Sequence, residues 1–168
     1  MHRRLCLALL VTGMLSGVSS CGFALRGTRV YAFKSLFSPF PESATLGTEL
    51  KRSLESGGNV RVITDARQIS QAEVILDVLQ DTREKTVVSV NASGQVREFQ
   101  LRIRFRFKLR NAKGAELIGE SEIVQQRDIS FNESAVLAKE SEEGLLYREM
   151  QSDTVQQILR RLAAVTAL

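Results

Sequence analysis

Residues 101–110, "LRIRFRFKLR", alternate apolar and basic side chains without a break. Leu101, Ile103, Phe105, Phe107 and Leu109 take one parity; Arg102, Arg104, Arg106, Lys108 and Arg110 take the other. Successive side chains of an extended strand point to opposite faces, so this stretch is a strand with one apolar and one cationic face. The apolar face requires a covering layer. The cationic face requires acids on neighbouring strands, an anionic ligand, or water.

The flanks supply the neighbours. Upstream, "AEVILDVLQD" runs on through "REKTVVSVN", and "NASG" (91–94) turns the chain into the basic strand. Downstream, "NAKG" (111–114) leads into "AELIGESEIVQQRDISF". Two glycine-closed turns between three alternating segments predict an antiparallel meander. With the second turn centred on Lys113, Leu109 faces Leu117 and Ile103 faces Ile123, while Arg110 meets Glu116, Arg106 meets Glu120 and Arg104 meets Glu122. A slip of one residue would put Phe105 opposite a glutamate, so this register is favoured. With the first turn centred between Ala92 and Ser93, Lys108 faces Asp77, Arg104 faces Asp81, and Arg102 faces Arg83. Most of the cationic face is thereby read as cross-strand charge pairing. Arg102 and Arg83 have no acid opposite in this register, which leaves them either as a site for an anionic ligand or as a solvated pair.

Helices account for the covering layer. "ATLGTELKRSLES", with Ser43 before it, repeats Leu46, Leu50 and Leu54 at four-residue spacing and stops at Gly57 and Gly58. From Asn132 to Val165 a longer helix carries Leu146, Met150, Val155, Ile158, Leu162 and Val165 on one stripe, unless Gly144 breaks it. Glu140, Glu142 and Glu143 lie early and Arg160 and Arg161 late, as the helix dipole prefers. Short strands are predicted around 29–33 and in "NVRVIT" (59–64), and "KSLFSPFPES", which holds both prolines, reads as a loop. The fold class is α+β: two helices packed on one face of a mostly antiparallel four- to five-stranded sheet.

The first twenty residues stand apart. Arg3 and Arg4 precede an apolar run from Leu5 to Val18, too short for a span of about 20 residues, and "VSS" leads into Cys21. Residues 1–20 read as a signal peptide, with 21–168 as a single domain. "VSSC" resembles a bacterial lipobox, so Cys21 is the expected lipidation site; ordinary cleavage nearby would leave a free thiol instead. Gly22 follows the cysteine where an aspartate would be a retention signal, which predicts sorting to the outer membrane. Several acyl chains together anchor a protein firmly.

Removing residues 1–20 takes away Arg3 and Arg4 and lowers the formal charge from +4 to +2, a weak excess for a nucleic-acid binder. It also removes His2, the only histidine, and Cys6. No imidazole base, thiol nucleophile or ordinary zinc site is then expected, and no phosphate-binding glycine motif or GxSxG occurs. A paired-carboxylate hydrolase is the weakest reading, because none of the 19 acids is set against a base. The expectation is a protein that is not an enzyme and uses no cofactor or metal.

The joint order of three segments resembles the LptE (rare lipoprotein B) family of lipopolysaccharide-assembly lipoproteins. They are Cys21, Gly22, Phe23, Leu25 and Arg26; Val136 to Lys139 with Glu142 and Glu143; and Ile158 to Leu162. "REFQLRIRF" after a glycine turn adds to the likeness. The resemblance implies a plug inside the LptD β-barrel of the outer membrane that helps assemble the barrel and binds lipopolysaccharide on the periplasmic side. It also implies basic ligand-binding residues near the first hairpin tip and early in the last helix. Lys139 matches the helical position; Ala92 occupies the place where other members can carry an arginine, with Arg97 nearby. Arg102, Arg83, Lys139 and Arg97 are therefore the candidate phosphate-binding residues. A generic outer-membrane lipoprotein scaffold contacting another envelope assembly is the alternative.

Overall fold

The structure, a computed structural model, describes residues 29–168. The expected signal peptide, residues 1–20, the expected lipidation site Cys21 and the Cys21–Arg26 segment lie outside the described residues. Strands β1 (Ser35–Phe37), β2 (Arg61–Ile63), β3 (Val74–Val90), β4 (Val96–Asn111) and β5 (Glu116–Ser130) form one sheet in the order β2-β1-β3-β4-β5. β1 runs parallel to both β2 and β3, and the three long strands form the antiparallel meander. Helices α1 (Thr45–Gly58) and α2 (Val136–Ala163) cover the same face.

The two meander turns form for a local reason. Asn91 Oδ1 accepts from the N–H groups of Ser93 and Gln95, and Asn111 Oδ1 accepts from those of Lys113 and Ala115. Gly94 and Gly114 then take φ of 79° and 89°, values that side chains disfavour. Both turns fall where the sequence places them.

The core is the apolar parity of β4 closed by the helices. Leu101, Ile103, Phe105, Phe107 and Leu109 are all essentially inaccessible, packed with Leu46, Leu50 and Leu54 of α1 and Met150, Val155, Ile158 and Leu162 of α2. Gly144 does not break α2, whose 28 residues span about 42 Å at 1.5 Å each. Every fully buried residue of α2 lies at or beyond Met150, so its first turns rest on the sheet through polar and partial contacts.

Local readings differ at four places. The first strand is Ser35–Phe37, inside the stretch read as a loop, while Tyr31 and Phe33 are buried without strand pairing. Three residues suffice there because β1 is sandwiched between β2 and β3, a long-range arrangement without a local signal. α1 has Ala44 rather than Ser43 at its N-cap and no side-chain cap. It ends through Asn59, left-handed at φ 52°, with the Val60 N–H reaching the Leu54 carbonyl at 3.3 Å. Asn132 caps a 3-10 turn (Glu133–Ala135) ahead of α2 by accepting from the Ser134 N–H.

Gly47 holds α1 against the loop before it. A Cβ there would stand 2.3 Å from Phe40 Cβ, and Phe40 stacks on Phe105. Gly47→Ala should therefore lower stability by about 1–3 kcal/mol despite alanine's higher helix propensity. Urea unfolding of the variant checks this.

Candidate functional site

The basic parity of β4 lies on the open face of the sheet, and register shifts toward both neighbouring strands decide its partners. Between β3 and β4 the expected register holds from Val74 to Val78, including Asp77 opposite Lys108. Leu79 then bulges out, and from Gln80 to Val87 every β3 residue is displaced by one. Because side chains alternate, the displacement exchanges the two faces. Glu84 now sits opposite Arg102 on the open face, and Arg83 pairs with Ile103 on the helix-covered face.

The predicted gap at Arg102 and Arg83 therefore does not exist. Arg102 has Glu84 at 3.8 Å and donates to Gln100 at 2.7 Å, although its buried Nε lacks a partner. Arg83 reaches Gln151 Oε1 at 2.7 Å beneath α2 and lies 5.6 Å from the Tyr147 ring centroid. There it enters a polar seam between the helices, in which Gln151 also accepts from Thr45 and donates to Glu49. Burial lifts the Tyr147 hydroxyl above the ordinary tyrosine pKa, aided by Glu143 and Glu84 and opposed by Arg83. Burial likewise lifts Asp81, the neighbour of Phe105, against the pull of Arg83.

Toward β5 the register slips by two rather than one, which preserves the faces. Arg110 still faces Glu116, but Arg106 faces Glu122 and Phe105 faces Ile123. The expected ion pairs survive as diagonals: Arg104 to Glu122 at 3.1 Å, and Arg106 to Glu120. Arg110 takes Asp77 at 2.8 Å, so the cation of the stripe without an ion pair among the described residues is Lys108. This face is a charge ladder. Arg104→Ala should cost less than about 1 kcal/mol, with the difference from wild type shrinking in 1 M salt; denaturation at two ionic strengths measures it.

A second cationic locus forms at the far end of the sheet. There α2 crosses the distal strands and leaves a groove of about 220 Å³ with Phe99, Ile129, Phe131 and Val136 in its lining and Lys85 and Lys139 beside them. Phe99 and Phe131 meet edge to face at 5.3 Å. Lys85 lies 4.3 Å from the Phe99 ring centroid and pairs with Glu143 at 2.6 Å; Lys139 donates to Ser130 and pairs with Glu142 at 2.9 Å. Arg97 is exposed on the adjoining strand, and its carbonyl accepts from the Phe131 N–H at 2.7 Å. Beyond the groove, Val87, Val88, Val90 and Leu137 are exposed. The arrangement joins ammonium groups to apolar surface, which suits an amphiphile with anionic groups.

The family model described as LptE, lipopolysaccharide-assembly, matches residues 33–162. This chain belongs to the LptE family. It is 26% identical over 161 residues to the LPS-assembly lipoprotein LptE of Pectobacterium atrosepticum, across 95% of this chain and 82% of that one. The solution structure of a lipoprotein B from Nitrosomonas europaea is 35% identical with a TM-score of 0.71, covering 85% of this chain and 91% of that one. The rare lipoprotein B structure from Shewanella oneidensis, at 23% identity, shares the fold with a TM-score of 0.61 over 77% and 94% of the two chains.

Within this LptE-family chain, Lys139 and Arg97 come to the same end of the molecule, whereas Arg102 and Arg83 occupy opposite faces of the sheet. Sequence reasoning missed Lys85, which the bulge at Leu79 turns toward Glu143. Its neighbours in sequence, Glu84 and Thr86, carry no signal of that turn. Among the described residues no helix is long and apolar enough to cross a membrane.

Proposed function

We propose that this LptE-family lipoprotein is anchored through Cys21 to the periplasmic side of the outer membrane, after removal of residues 1–20. In this reading it plugs and helps assemble an LptD-type β-barrel and binds lipopolysaccharide during delivery to the outer leaflet. The observation that carries the reading is membership of the LptE family across residues 33–162. The distal groove supports it: Lys139 and Lys85 supply cations for lipid A phosphates, with the exposed Arg97 on the adjoining strand, and Phe99, Ile129 and Phe131 supply apolar surface beside them. A phosphate would have to draw the lysines from Glu142 and Glu143, a near-even exchange of exposed ion pairs that permits release as readily as capture. Arg102 and Arg83, already engaged by Glu84 and Gln151, rank below these three as ligand contacts. The chain is proposed to act by binding alone, without a cofactor.

The test is affinity purification of the tagged, lipidated protein from detergent-solubilised outer membranes. A stoichiometric large β-barrel partner is expected. Its absence would overturn the plug reading and favour a lipoprotein scaffold serving another envelope assembly.

A further inference from the structure

The two long edges of the sheet are finished differently. On β5, the Arg161 guanidinium donates to the Glu122 carbonyl at 2.9 Å and Arg127 donates to the Gln126 carbonyl at 2.8 Å, so two of its outward-facing main-chain acceptors are occupied. On β3, β1 pairs only with Val74 and Ile75, leaving the rest of that 17-residue strand as an edge. The Tyr147 hydroxyl donates to the Glu84 carbonyl at 2.9 Å. Past Glu84 the protection stops: among the described residues, no group outside the β3–β4 hairpin bonds the main chain of Thr86 to Val90.

The orientation of that edge follows from the same bond. Glu84 turns its carbonyl away from β4, and main-chain groups alternate along an antiparallel strand, so Thr86 also presents its N–H and C=O outward. Val88 has no partner in the ladder, because the register shifts between Val87 and Ser89. The edge extends about 17 Å from Lys85 to Val90 at roughly 3.3 Å per residue.

Its composition is the reverse of a guarded edge. Natural edge strands are blunted by lysine, inward charge or proline. Residues 86–96, "TVVSVNASGQV", contain no charged residue and no proline, in a chain that is 25% charged. Val87, Val88 and Val90 are about half exposed. The stretch also lacks the aromatic or basic residues that hold a surface loop at lipid headgroups.

We infer that the Thr86–Val90 edge of β3 accepts an extended, uncharged segment rich in β-branched residues from a partner chain, adding a strand to the sheet. Main-chain hydrogen bonds supply the pairing, and the valines supply the apolar complement. For the identity of that chain the inference rests on the proposed barrel partner, in which only a segment outside the closed wall of paired strands has main-chain groups free to pair.

The test uses the full lipidated protein, purified with its barrel partner and alone. Amide exchange in the peptide covering residues 85–91 should slow at least tenfold in the complex, while a peptide around Lys113 is unchanged. Thr86→Pro removes the outward N–H but no bond to β4, a substitution tolerated on edges. It should keep the wild-type unfolding midpoint and reduce the co-purified barrel at least tenfold. If this variant fails to fold, Val88→Lys serves as the second test and should give the same reduction. A barrel that co-purifies without protecting residues 85–91 would overturn the inference and leave the plug reading intact. A photo-crosslinker at Val88 that yields a homodimer, or an adduct with lipopolysaccharide, would also overturn it. Absence of the barrel from the wild-type preparation would overturn both.

Discussion

Phe105→Ala should cost about 3–5 kcal/mol of folding stability, the range for removing a buried aromatic ring. Phe105 is wholly inaccessible, stacks on Phe40 at 6.0 Å and tilts against Phe107 at 5.6 Å. It joins the loop before α1 to β4, so the vacated space cannot be filled without moving Phe40, which Gly47 already holds close. Urea unfolding followed by circular dichroism should show a lower midpoint at little-changed slope. A loss below about 1 kcal/mol would mean that the loop collapses into the cavity and that the Phe40–Phe105 contact is not a fixed part of the core.

Reversing both groove lysines, Lys85→Glu with Lys139→Glu, should weaken lipopolysaccharide binding about 10- to 100-fold, equivalent to roughly 1.4–2.8 kcal/mol. The new carboxylates would stand beside Glu143 and Glu142, so the groove would repel phosphates as well as lose its donors. Some loss of stability is also expected, because the first turns of α2 contain no fully buried residue and the Lys85–Glu143 pair and the Lys139–Ser130 hydrogen bond help hold them to the sheet. Lys85→Gln with Lys139→Gln separates the effects by removing charge without adding repulsion. Arg102→Gln is the comparison on the open face, where Glu84 already competes for the guanidinium, and should change affinity by less than about threefold. Equal sensitivity at Arg102 would move the ligand to the open face and overturn the assignment of the groove.

The assignment of these residues shows where sequence reasoning succeeds and where it stops. Alternation in residues 101–110 was enough to name the five buried positions of β4, because a period of two admits only two faces and one of them is wholly apolar. The asparagines and glycines of "NASG" and "NAKG" fixed the turns through hydrogen bonds within a few residues. Toward β5 the pairing slipped by an even number of residues, so the expected partners Arg104–Glu122 and Arg106–Glu120 still meet. Toward β3 one extra residue at Leu79 reversed the faces, so Arg102 meets Glu84 and Arg83 lies on the other face. Nothing in "DVLQD" marks Leu79 for a bulge; valine or glutamine would read as well.

By itself, then, the sequence determined the α+β class, the apolar parity of β4, the meander turns and the two helices, because each follows from periodicity or from bonds between near neighbours. Only the tertiary structure decided which cations share a face, that Lys85 joins Lys139 at the distal groove, and that β1 forms from three residues between two other strands. Those outcomes depend on register and on contacts between residues far apart in the chain. A one-residue bulge costs little locally, yet it changes the face of every side chain beyond it.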